Sequence, residues 1–110
     1  MRDDPFSETL KDELSLEEEV VMITRIRYTP THTIQKFAVS LVYFQMTPPA
    51  TLVRFDGGQD ERVHAHYFFK KPPQKEYHNR HISLETISIY RQRIRDQWRL
   101  YLAEFKENYI

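Results

Sequence analysis

Thr51-Leu-Val-Arg-Phe-Asp56 and Arg62-Val-His-Ala-His-Tyr-Phe-Phe69 flank the only two glycines of the chain, Gly57 and Gly58, and the whole reads as a β-hairpin. Leu52, Arg54 and Asp56 alternate with Val53 and Phe55, while Arg62, His64, His66 and Phe68 alternate with Val63, Ala65, Tyr67 and Phe69. This is the period of two that puts successive side chains on opposite faces of a strand. One face therefore gathers polar chemistry, and Arg54, Asp56, His64 and His66 are expected to converge. The glycine pair marks the reversal, where a positive φ or a close approach is needed. A cation, a carboxylate and two imidazoles on one ribbon suit acid-base chemistry, anion binding or metal ligation, and the residues alone leave these three open.

A chain of 110 residues supports a single domain with one modest core, 1–110. Seven Tyr, seven Phe and one Trp predict a core built on rings. Without Cys there are no disulfides, thiolate metal sites or thiol nucleophiles, which fits a reducing compartment, with the cytoplasm as the expected location. No apolar run reaches the length of a membrane span, and Met1-Arg-Asp-Asp-Pro has no hydrophobic segment of the signal-peptide kind.

The formal net charge of zero divides unevenly. Residues 1–19 hold eight acids against two bases, and residues 20–110 hold fourteen bases against eight acids, so the segments carry −6 and +6. The expectation is an acidic N-terminal segment that shields a basic body; the plainer alternative is two solvated faces.

Along the chain, Ser7 precedes a polar stretch, Glu8 to Leu14, expected as a short N-terminal helix. Val20, Met22, Thr24, Ile26 and Tyr28 alternate with Val21, Ile23, Arg25 and Arg27 as a strand that Pro30 ends. A second, largely buried strand is expected from Ile34 to Met46. After the hairpin, Lys70-Lys-Pro-Pro-Gln-Lys75 reads as a basic extended loop and Glu76 to Ile82 as a short edge strand. Ser83 caps a helix expected over 83–107, with Ile87, Tyr90, Ile94, Trp98, Tyr101 and Phe105 as its apolar stripe. Arg91, Arg95 and Arg99 form a basic flank beside that stripe, with Glu85, Asp96 and Glu107 turned away. The expected architecture is α+β and two-layered: a four- to five-stranded, mostly antiparallel sheet over 20–82, covered by the long C-terminal helix.

Leu52-Val-Arg-Phe-Asp56, the closely spaced histidines after it, and the helical run Ile94-Arg-Asp-Gln-Trp-Arg-Leu-Tyr101 resemble the TumE-like toxins of prokaryotic toxin-antitoxin pairs. The resemblance covers the C-terminal two-thirds. In that family the motif opens similarly with Arg-Tyr-Asp and continues with Asn and a nearby His, where this chain has Gly57, Gly58 and Gln59. It implies a toxin acting on RNA and a cognate antitoxin as protein partner.

On that reading one of His64 and His66 takes the 2′-hydroxyl proton, the other protonates the leaving oxygen, and Arg54, anchored by Asp56, stabilises the charged phosphorus centre without a metal. Asp56 beside Gly-Gly also suits a plain side-chain turn. Arg91, Arg95, Arg99, Lys70, Lys71 and Arg80 are the expected phosphate contacts, with exposed tyrosines available for stacking. His64-x-His66 with His78-x-x-His81 offers four imidazoles. With no Cys and no His-Glu-x-x-His helix, no metal or other cofactor is expected. The alternative is a non-catalytic nucleic-acid- or protein-binding module, and a third class is a zinc-containing or structural accessory protein.

Overall fold

A computed structural model describes residues 7–110. Six strands are followed by one helix: β1 Ser7–Ser15, β2 Val20–Tyr28, β3 Ile34–Tyr43, β4 Ala50–Gly58, β5 Glu61–Tyr67, β6 Gln74–Tyr77 and α1 Leu84–Tyr109. The strands pair in chain order, every pair antiparallel, so the sheet is an open meander with β1 and β6 at its edges. Short connections between neighbours make this order the simplest one available. No helix among the described residues is long and apolar enough to cross a membrane.

The α+β layering stands, with more strands than the alternation suggested and, among the described residues, no short N-terminal helix. Ser7–Ser15 forms β1, which pairs along β2 from Ser7 opposite Arg27 to Ser15 opposite Val20. An edge strand needs little apolar surface, and charged side chains on it guard the open edge. That is why a polar stretch with an apparent cap reads locally as a helix. The acidic residues from Glu8 onward therefore belong to the sheet and its first turn, while Asp3 and Asp4 lie outside the described residues. Three boundaries also move: β3 ends at Tyr43, β6 is Gln74–Tyr77, and α1 runs on to Tyr109.

One face of the sheet carries the core. Met22, Val39, Leu41, Val53, Phe55 and Ala65 are buried there with Ile87, Tyr90, Ile94, Trp98, Leu102 and Phe105 of α1. The Tyr90 ring stacks on Phe55 with centroids 4.4 Å apart and an interplanar angle of 4°, an arrangement that adds about 0.5–1.5 kcal/mol beyond area burial. Leu102 rather than Tyr101 carries the stripe at its far end, and Tyr101 lies half-buried against Phe69. Ser83 accepts from the Thr86 backbone N–H at the start of the helix. At its end the Asn108 side chain donates to the Phe69 carbonyl and the Tyr109 hydroxyl to that of Lys70.

The hairpin is present, and its glycines work by close approach. Neither has a positive φ, and the reversal is made by Gln59 and Asp60. A Cβ at Gly57 would lie 2.9 Å from Val63 Cγ2 and 3.0 Å from Val63 Cα, so only glycine fits between β5 and the Phe37 ring.

Candidate functional site

The side of the sheet turned away from α1 holds three cross-strand rows. Lys11, Ile23, Ser40, Arg54, His66 and Lys75 pair successively from β1 to β6, as do Thr9, Arg25, Ala38, Asp56, His64 and Tyr77. Arg27, Lys36 and Gly58 make the shorter third row. Alternation puts all of them opposite the core residues Phe55 and Ala65, and those from Arg25, Arg27 and Lys36 across to Arg54, Asp56, His64 and His66 line an open concavity of about 1160 Å³.

The hairpin brings its four expected residues together. Arg54 donates from Nε to Asp56 Oδ2 at 2.8 Å. Asp56 Oδ1 lies 2.6 Å from His64 Nε2, and His66 Nε2 lies 3.0 Å from the same nitrogen. His64 Nδ1 is 2.7 Å from the Arg62 carbonyl, which only accepts, so this nitrogen carries the proton. Phe68 stacks flat on His66, with centroids 5.3 Å apart, and lies under the Arg54 guanidinium. His64 is 1% exposed, whereas Asp56 at 16% and His66 at 21% open onto the concavity. Burial and the Arg54 charge hold the His66 imidazole below its ordinary value; Asp56 opposes that shift, and His64 and Lys75 add to it.

The two imidazoles meet edge to face instead of standing on either side of an opening. A pair acting as separate acid and base needs the reacting phosphate between them, so the cluster is better described as one unit in which His66 is the outer member.

The expected phosphate contacts lie elsewhere. Arg91 bonds Thr24 and Asp12 on the core side, and Arg95 Nη2 is 3.5 Å from the same Asp12. Arg99 covers the Trp98 ring, Lys70 lies over Tyr67 and Phe69, Lys71 over Tyr109, and Arg80 over Tyr90. The helix flank thus borders the core seam and β1, with the sheet between it and the histidine cluster. The cations that do share the cluster's face include Lys11, Arg25, Arg27, Lys36 and Lys75. Their parity along β2 and β3 was readable in the sequence, whereas their register against Arg54 was not.

His78 stands apart from His64 and His66. Its Nδ1 meets the Tyr90 hydroxyl on the core side and its Nε2 lies 2.7 Å from Glu76 Oε1, so the four-imidazole cluster does not form. Among the described residues, the one group with metal-ligand spacing is Asp56, His64 and His66, their donor atoms all within 4.8 Å of one another. Set against family models, curated proteins and solved structures, the chain matches none.

Proposed function

We propose that the protein acts on RNA from the open face of its sheet, as the ribonuclease toxin of a toxin-antitoxin pair. One observation carries the reading: the cross-strand rows set Arg25, Lys36 and Arg54 on the same face as Asp56, His64 and His66. Strands spaced about 4.8 Å apart put the Arg25 backbone about 10 Å from that of Asp56, a span that a polynucleotide backbone crosses readily. The cations take the phosphates, exposed Tyr77 offers ring surface to bases, and the cluster accepts the 2′-hydroxyl proton. Arg54 is the group placed to meet charge developing on phosphorus. A cognate antitoxin would block RNA by covering this face.

Purified protein incubated with end-labelled single-stranded RNA tests the reading. Cleavage leaving 2′,3′-cyclic phosphate ends is the expected result; RNA that is neither bound nor cut would overturn it. The second reading, a module that binds without cutting, is favoured by the direct contact between the imidazoles and predicts saturable binding with no products.

A further inference from the structure

We propose that Asp56, His64 and His66 hold one divalent transition-metal ion, with Zn²⁺ the best match to their donor set. The inference deepens the reading above, because it names the group that would accept the proton, but its evidence is the geometry of the three side chains alone.

Protons are counted first. His64 donates from Nδ1 to the Arg62 carbonyl at 2.7 Å, so the Nε2 of its neutral ring is a bare lone pair. That lone pair faces a carboxylate oxygen at 2.6 Å and a second imidazole nitrogen at 3.0 Å. His64 Nε2 and Asp56 Oδ1, two acceptor atoms turned towards each other at 2.6 Å inside a ladder with His66 Nε2 beside them, need a positive charge between them. A single proton lies along one of the three lines, whereas a metal ion bonds all three atoms at once.

Distances agree with that occupant. Donors around a tetrahedral ion with bonds of about 2.0–2.1 Å stand about 3.3 Å apart. From His64 Nε2 the separations are 2.6 Å to Asp56 Oδ1 and 3.0 Å to His66 Nε2, and the donor atoms of the three residues all lie within 4.8 Å of one another, close enough for an ion to draw them to that spacing. A metal-bound histidine commonly gives its other ring N–H to a backbone carbonyl, which fixes the tautomer, and the Arg62 carbonyl fills this role for His64. Arg54 holds Asp56 by Oδ2 and leaves Oδ1 for the ion. Asp56 and His64 are directly paired residues on neighbouring strands and His66 is two further along, so the ladder itself sets the ligand positions.

Imidazole and carboxylate without thiolate suit Zn²⁺ among the common divalent ions. Three protein ligands with Asp56 and His66 open to the concavity leave a coordination position for water, the pattern of catalytic rather than structural zinc. The Glu61 carboxylate, 3.5 Å from His64 Nε2, stands where it can accept from that water. Zinc lowers the pKa of bound water to about 7. The resulting hydroxide takes the 2′-hydroxyl proton, the 2′-oxygen bonds phosphorus, the bond to the 5′-oxygen breaks, and that oxygen recovers the proton from the regenerated water.

The test uses the full chain, stripped with chelator and titrated with ZnCl₂ by calorimetry, and separately with Co²⁺ followed by its visible spectrum. One ion per chain is expected, with Co²⁺ giving the bands of a four- or five-coordinate nitrogen and oxygen site. His66→Gln and Asp56→Asn, partly exposed positions chosen because buried His64 risks the fold, should each weaken binding roughly 100-fold or more while circular dichroism is unchanged. His78→Gln should bind like the parent. No binding by the folded parent, binding unaltered in His66→Gln and Asp56→Asn, or loss in His78→Gln instead would each overturn the proposal. RNA cleavage that persists in chelator would remove the ion and leave the RNA reading standing; a bound ion with RNA untouched would do the reverse.

Discussion

Asp56 and His64 face each other across one rung of the β4–β5 ladder, with Oδ1 2.6 Å from Nε2 and the imidazole 1% exposed. A buried imidazole held at both nitrogens cannot turn, so the carboxylate and the Arg62 carbonyl together fix the direction in which the cluster points. Losing one partner from such a pair leaves the other buried without compensation. Asp56→Ala is expected to cost about 1–3 kcal/mol in urea denaturation, whereas Arg54→Ala, which removes an exposed partner, should cost under about 1 kcal/mol.

At Gly57 the two strands of the hairpin approach closely beside the Phe37 ring. Gly57→Ala pushes a methyl into Val63 and towards Phe37 and should destabilise by about 1–3 kcal/mol. Gly58→Ala meets the Gln35 carbonyl and Lys36 Cβ at 3.3 Å and should cost less than Gly57→Ala. Equal effects in chemical denaturation would contradict the packing described.

The two sets of cations should separate by function. Arg25→Ala and Lys36→Ala are expected to weaken RNA binding and to flatten its salt dependence by roughly 0.7–1 unit each, with stability unchanged. Arg91→Ala should leave RNA binding alone and lower stability, because it releases Asp12 and Thr24 at the seam between α1 and the sheet. Binding isotherms at several salt concentrations, set beside melting curves, check both halves.

Trp98→Ala removes a ring that is 7% exposed in the core and should cost about 3–5 kcal/mol. A near-neutral result in urea denaturation would mean that α1 meets the sheet with another face.

Burial pushes the hydroxyls of Tyr67, Tyr90 and Tyr101 above their ordinary value; Glu76 adds to the shift at Tyr67, and Arg93 opposes it at all three, joined at Tyr90 by Arg80. Groups raised on folding keep their protons to higher pH than the unfolded chain does. Their stabilising contribution is complete below the ordinary tyrosine value near pH 10 and is lost as pH rises from there through the folded values. Melting temperature should therefore fall above about pH 10, in step with tyrosinate absorbance, and a flat profile through that range would contradict the burial.

Alternation and capping made most of this fold legible. The parity of Arg54, Asp56, His64 and His66 follows from a period of two, and Ser83 announced α1. The polar edge strand Ser7–Ser15 was hidden because its conformation is imposed by pairing with β2 and not by its own preferences. For the site, parity told which residues share a strand face, but only register sets Arg25 in line with Asp56 and His64. The basic helix flank misled for a related reason. Spacing by four aligns Arg91, Arg95 and Arg99, yet it is silent on Asp12, an acid 79 residues from Arg91 that lies against the flank.

The most direct test of the open-face reading is the initial rate of cleavage of end-labelled single-stranded RNA by the parent and by His66→Gln. The account predicts cyclic-phosphate products from the parent and a fall of about 10²- to 10⁴-fold in the variant, with RNA affinity nearly unchanged. A His66→Gln protein that cleaves at the parent's rate would contradict it.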